Sequence, residues 1–129
     1  MAQLEHINVT VADPKKMAGT LHTLFGWEIR WEGEAMNGAG YTVHVGTDTT
    51  YLALYSGTTD HPTQLEGASY NRLSGLNHIG VVVDDLDATE AKVKALGYKP
   101  GNHADYEPGR RFYFTDENDI EIEVVCYDS

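Results

Sequence analysis

Two stretches of this chain are nearly the same strand written twice. Leu4-Glu5-His6-Ile7-Asn8-Val9-Thr10-Val11 returns as Leu76-Asn77-His78-Ile79-Gly80-Val81-Val82-Val83. In both, Ile and Val alternate with other residues, which is the signature of a half-buried β-strand. The histidine stands off the Ile/Val face each time. A repeat at this scale restricts the chain to two similar halves. It also aims one imidazole from each half at a site they can share.

The segments after each copy extend the match. Asp13-Pro14 is a helix start, an N-cap acceptor followed by a proline whose missing N–H costs nothing there. Met17, Leu21, Leu24 and Phe25 recur at helical spacing, predicting a helix from Pro14 to Phe25 that Gly26 ends. In the second half Asp85 matches Asp13, the segment from Leu86 to Leu96 reads as helix, and Gly97 ends it. Three strands are expected after each helix: 27–32, 41–46 and 51–55, then 98–100, 111–115 and 120–126. Polar links at 33–40 and 101–110 follow the first of each set. The order is therefore β-α-β-β-β twice: module one at 1–56, a Gly/Thr/Ser-rich connector at 57–74, and module two at 75–129. Part of the connector can form a short helix or a lid. The two modules are expected to make one α+β domain, a curled, barrel-like mixed sheet with its helices outside.

Composition narrows the partners. With 20 acidic and 9 basic residues the net charge is −11, which repels phosphate backbones and argues against nucleic acid. No apolar run approaches the ~18 residues of a membrane span. One cysteine, Cys126, excludes an internal disulfide. That and a first strand starting so close to Met1 imply a cytoplasmic protein without a secretory leader.

Strand alternation sorts the polar residues by face. His6, Asn8 and Thr10 share the side opposite Ile7, Val9 and Val11, which should pack on the helix. His78, Gly80 and Val82 do the same in the second copy. On the last strand Glu121, Glu123 and Val125 oppose Ile120, Ile122, Val124 and Cys126. If each half curls, His6, His78 and Glu123 converge. Two neutral imidazoles and a carboxylate can hold a divalent ion and leave positions open for oxygen ligands. Iron and manganese suit such a set, and zinc, nickel and cobalt fit the same donors.

The paired β-α-β-β-β halves, the two Leu-x-His-Ile starts and the Asp116…Ile122-Glu123-Val124 ending resemble the vicinal oxygen chelate superfamily. That group includes glyoxalase I, fosfomycin-resistance proteins, extradiol dioxygenases, methylmalonyl-CoA epimerase and bleomycin-resistance proteins. The resemblance covers nearly the whole chain and implies a glyoxalase-like fold with metal ligands on the first and last strands of each half. Carried over, these are His6, His78 and Glu123, while Ala53 stands where glyoxalase I and the epimerase place a fourth ligand. The three-ligand set is similar to those of fosfomycin-resistance enzymes and extradiol dioxygenases. A homodimer is also implied.

Around the ligands, Tyr51 and Tyr55 should face the substrate, or else simply pack with satisfied hydroxyls. Asn8 and Thr10 can orient neighbouring groups. Tyr113 is a candidate donor to a metal-bound oxygen, and His103 a candidate mobile acid/base. Arg110 and Arg111 can hold an anionic substrate by bidentate donation, or form surface ion pairs. His22, His44 and His61 read as ordinary. Cys126 falls on the packing face, where a reactive thiolate is disfavoured. The reading is a metal-dependent enzyme on a small oxygen-chelating substrate, with lyase/isomerase, transferase or dioxygenase chemistry open. Its competitors are a metal-free binding module resembling bleomycin-resistance proteins and a partner-binding domain with a degenerate site.

Overall fold

The computed structural model describes residues 1–35, 38, 40–58, 63, 66–106 and 109–127. His61, Glu107, Pro108 and parts of the 33–40 link and the connector lie outside the described residues. The chain divides into two compact units, Met1–Thr63 and Gln64–Ser129. Each has the order β-α-β-β-β.

In the first unit, β1 (His6–Thr10) leads into α1 (Pro14–Phe25), then β2 (Glu28–Glu34), β3 (Tyr41–Gly46) and β4 (Tyr51–Ser56). The sheet order is β1-β4-β3-β2, with β1 parallel to β4 and the other pairs antiparallel. The second unit repeats this with β5 (Ile79–Val82), α2 (Leu86–Ala95), β6 (Gly101–Tyr106), β7 (Gly109–Thr115) and β8 (Glu121–Tyr127), ordered β5-β8-β7-β6. The α+β, glyoxalase-like architecture read from the repeat is the one observed. Among the described residues no helix is long and apolar enough to cross a membrane.

The helix ends form as their cap chemistry requires. Asp13 Oδ1 accepts from the Lys16 amide at 3.1 Å, and Asp85 Oδ1 from the Ala88 amide at 3.0 Å. Gly26 closes α1 in the left-handed region at φ 73°, where a glycine has no Cβ to clash. One face of each sheet is then covered. Met17, Ala18, Leu21 and Leu24 of α1 lie over Val43 and Val45 of β3 and Leu52 and Leu54 of β4. Leu86, Thr89 and Val93 of α2 cover Phe112, Phe114, Ile122 and Val124. Each Val, Leu, Ile, Phe or Met among these side chains contributes about 1.5–3 kcal/mol by leaving water.

Among the described residues of the connector, Ser69–Asn71 form a 3-10 turn, within the short helix or lid expected there. Three details depart from the sequence reading. The 101–110 link is largely strand, because β6 pairs antiparallel with β7, and 98–100 is not strand. Ile7 remains 38% exposed because α1 lies over β3 and β4 and leaves the edge strand β1 outside its cover. Cys126 is only half-buried, its Sγ 3.5 Å from the Asp84 carbonyl, while Val125, on the face opposite, is buried.

The β7–β8 connection is held by one buried carboxylate. Asp116 Oδ1 accepts from the Asn118 and Ile120 amides at 2.9 and 3.0 Å, and Oδ2 from Asn118 Nδ2 at 3.1 Å. Asp119 takes the left-handed position at φ 60°, which Asp tolerates better than most residues. Asp116→Ala leaves one buried and one half-buried amide without their acceptor and is expected to destabilise the protein by about 2 kcal/mol. A shift of the urea midpoint with an unchanged slope checks this.

Candidate functional site

The faces not covered by helices carry the polar residues. On the second sheet, β8 positions Glu121 and Glu123, β7 positions Arg111, Tyr113 and Thr115, and His78 immediately precedes β5. Register fixes the set, since Gly80 and Tyr113 both pair with Glu123. His78 Nε2 stands 3.2 Å from Glu123 Oε2, and the Tyr113 ring meets the His78 imidazole edge-on at 5.8 Å. The other carboxylate oxygen, Glu123 Oε1, accepts from Arg111 Nη1 at 2.9 Å. Gly80 adds no side chain, and a Cβ there meets nothing within 4 Å, so the space beside Glu123 is open.

Tyr70 was not singled out in the sequence. Its hydroxyl lies 2.8 Å from His78 Nδ1 and donates to Glu121 Oε1 at 2.8 Å. The hydrogen bond to Glu121, then loss of solvent and the charges of Glu121 and Glu123, push the phenol above its ordinary value, so it keeps its proton. A hydroxyl has one hydrogen to give. Given to Glu121, it leaves only lone pairs for His78, so Nδ1 is the protonated nitrogen. The other ring nitrogen, Nε2, faces Glu123 Oε2 at 3.2 Å, where a proton on Nε2 or a cation shared by the two atoms would join them. The nearest sequence signal was Tyr70's place in a connector noted as a possible lid; nothing local tied it to His78.

The first sheet has the equivalent frame. Asn8 pairs with Ala53 as Gly80 pairs with Glu123, so Ala53 occupies the position of Glu123 in that module. His6 pairs with Tyr51 and stacks on it at 5.0 Å, and Tyr55 pairs with Thr10 on the same open face. His6 Nδ1 is engaged by Glu5 Oε1 at 2.9 Å, a bond that holds the Glu5 carboxyl below its usual range. In both modules, therefore, a neighbour occupies Nδ1 and Nε2 is the nitrogen presented outward.

Two other candidates lie elsewhere. Arg110 donates to Asp87 of α2 at 2.7 Å, and His103 Nε2 is 2.8 Å from Glu90 of the same helix. Both are on the helix side of the second sheet, away from His78, Arg111, Tyr113 and Glu123.

His44, read as ordinary, sits on the open face between Trp31 and Tyr51. Desolvation first, then the charges of His6 and Arg30, hold its imidazole below its ordinary value, with Glu5 pulling the other way. The unfolded chain takes up this proton below about pH 6.5 and the folded chain resists it. The contribution is thus complete above that pH and is lost as pH falls toward the folded value. His44→Phe is expected to flatten the decline of Tm between about pH 7 and pH 5.

A divalent ion fits part of this arrangement. Ligand atoms about 2.0–2.2 Å from an ion at tetrahedral or octahedral angles are about 2.8–3.6 Å apart. The His78–Glu123 pair meets that spacing at 3.2 Å. Glu121 lies on the opposite ring nitrogen, 3.4 Å from Nδ1, so it cannot share the same ion. Among the described residues no group of three or more His, Cys, Asp or Glu side chains able to hold a metal is found.

A family model for the Glyoxalase/Bleomycin resistance protein/Dioxygenase superfamily matches residues 3–124. No curated protein sequence matches the chain. Among solved structures, the fosfomycin resistance protein FosX from Mesorhizobium loti is similar at 22% identity and TM-score 0.71, covering 97% of this chain and 91% of that one. TnmS3, an antibiotic binding protein from Streptomyces sp. CB03234, is similar at 18% identity and TM-score 0.75, with 99% and 98% covered. A glyoxylase/bleomycin resistance protein/dioxygenase domain from Frankia sp. EAN1pec reaches 0.79 at 17% identity, with 99% of each chain covered. At these identities the likeness establishes the fold.

Proposed function

The chain belongs to the Glyoxalase/Bleomycin resistance protein/Dioxygenase superfamily, and from that membership we propose that it is a metal-dependent enzyme acting on a small oxygen-bearing substrate. One observation carries the proposal: Tyr70 engages His78 at Nδ1, which leaves Nε2 facing Glu123 Oε2 at 3.2 Å as a pair of potential ligand atoms. His78 and Glu123 would hold the ion, with His6 as third ligand. The occupants that suit these donors are iron, manganese, zinc, nickel and cobalt. When bound, the ion supplies Lewis acidity toward substrate oxygens.

The chain's own residues do the rest. Arg111 fixes Glu123 through Oε1 and leaves Oε2 turned to His78. Tyr70 and Glu5 hold the two imidazoles in orientation, as ligand partners do in metal sites. Tyr113, edge-on to His78, is placed to donate to a substrate oxygen. Ala53 stands where a fourth ligand would be, and Asn8, Tyr51 and Tyr55 line the open face of the first sheet beside it. Lyase/isomerase, transferase and dioxygenase chemistry are all compatible with this set. Both modules are taken to act as one domain of a cytoplasmic homodimer. The test is titration of chelator-stripped protein with manganese(II), cobalt(II) or zinc(II). Stoichiometric binding of one ion per chain supports the proposal, and no binding by folded protein removes it.

The ion pair favours a second reading. Arg111 already gives Glu123 a cationic partner at 2.9 Å, with both side chains mostly buried. That arrangement suits a metal-free small-molecule binder of the bleomycin-resistance type, and TnmS3 is an antibiotic binding protein of this fold. Ligand binding undiminished by excess chelator would favour it.

A further inference from the structure

Four rings cross the open face of the first sheet, one from each strand in spatial order. His6 of β1 stacks on Tyr51 of β4 at 5.0 Å, Tyr51 on His44 of β3 at 4.5 Å, and His44 meets Trp31 of β2 at 5.1 Å. Two glycines make room for the row. Gly33 lies under the indole, where a Cβ would stand 2.8 Å from Trp31 Cζ2, so the ring is laid flat along β2. Gly46, the cross-strand partner of Tyr51, has no side chain to block the ring from leaning toward His44. The register of β2 shifts between Ile29 and Trp31, a bulge that turns Arg30 onto this same face. Its guanidinium reaches the Tyr51 ring at 4.5 Å from the centroid.

Packing does not account for the row. The helix covers the opposite face, and Trp31 is 51% exposed. A flat indole with one side on backbone and the other open is a stacking surface. The charges beside it select the ligand. Arg30 attracts negative oxygen, and Glu5, which lies in its field, is already engaged by His6 at 2.9 Å and by the Tyr51 hydroxyl at 3.4 Å. A cationic ligand would instead meet Arg30.

We propose that the Trp31–His44–Tyr51 row with Arg30 binds a planar aromatic acid, its ring stacked on Trp31 and its carboxylate or phenolate oxygen held by Arg30. This deepens the small-molecule reading above by naming the substrate class, and it rests on side chains other than His78 and Glu123.

The test is calorimetric titration of the full chain in excess chelator with 2-naphthoate, cyclohexanecarboxylate and 2-naphthylmethylammonium. The expected result is that 2-naphthoate binds at least about tenfold more tightly than either of the others, the scale of one good ring stack or charge contact. Trp31→Leu and Arg30→Gln should each weaken it by about tenfold or more. Gly33→Ala, which displaces the indole while keeping it, should weaken it too, with circular dichroism confirming the fold in all three. Equal affinity for the two carboxylates, or naphthoate binding unchanged in Trp31→Leu, overturns the proposal. So does absence of binding, or a dimer that dissociates on Trp31→Leu in sedimentation, which would assign the row to contact between copies. Excess chelator keeps metal out of this titration, so failure of the metal reading and failure of this one are told apart.

Discussion

Replacing His78 with alanine is expected to lower the affinity for a divalent ion by about a hundredfold or more. Losing a partner that merely orients a ligand already costs about ten- to a hundredfold, and His78 would be the ligand itself. The residue is held at both ring nitrogens, Nδ1 by Tyr70 at 2.8 Å and Nε2 facing Glu123 at 3.2 Å. Tyr70→Phe keeps the ring and removes only the hydroxyl. It frees the imidazole to rotate or to exchange its proton between nitrogens, and should lower affinity by about tenfold. Competition with a chromophoric chelator measures both. Equal metal content in wild type and His78→Ala, or none in either, would end the metal reading. A full effect in His78→Ala with none in Tyr70→Phe would keep the ligand and discard the tautomer argument.

The largest effect on stability is expected from Phe112→Ala. Phe112 is fully buried on the helix side of β7, directly opposite Val124 of β8, which is equally inaccessible. Val93 of α2, also fully buried, belongs to the same core. Truncating the ring forfeits its burial and leaves a cavity bounded by strands that cannot close on it. Such a change costs about 3–5 kcal/mol. Urea unfolding followed by circular dichroism checks it. A loss under about 1 kcal/mol would mean that the second module repacks freely around the gap.

Much of the architecture was legible because its signals are local. Asp13 and Asp85 cap helices through bonds spanning three residues, and Gly26 closes one by its own backbone angle. Face assignment also carried over where strands are regular: His6, Asn8 and Thr10 share one side of β1, and Glu121 and Glu123 one side of β8. Reading failed where a pattern was interrupted or a partner was distant. Strand β6 was hidden by a polar sequence, since its pairing with β7 is backbone bonding that side chains do not announce. The bulge in β2 put Arg30 beside Trp31 on one face, against strict alternation. Arg110 and His103 carry the right chemistry, yet each is drawn to a carboxylate of α2 on the other side of the sheet.

The residues themselves determined that the chain is two β-α-β-β-β modules with a histidine at the head of each, because periodicity and caps act over a few residues. Only the tertiary structure decided which donors meet. Tyr70 and Glu121 are 51 positions apart, and no propensity links them. Whether Glu123 answers to His78, to Arg111 or to both is settled by register across three strands, where a slip of one residue would turn every side chain to the opposite face.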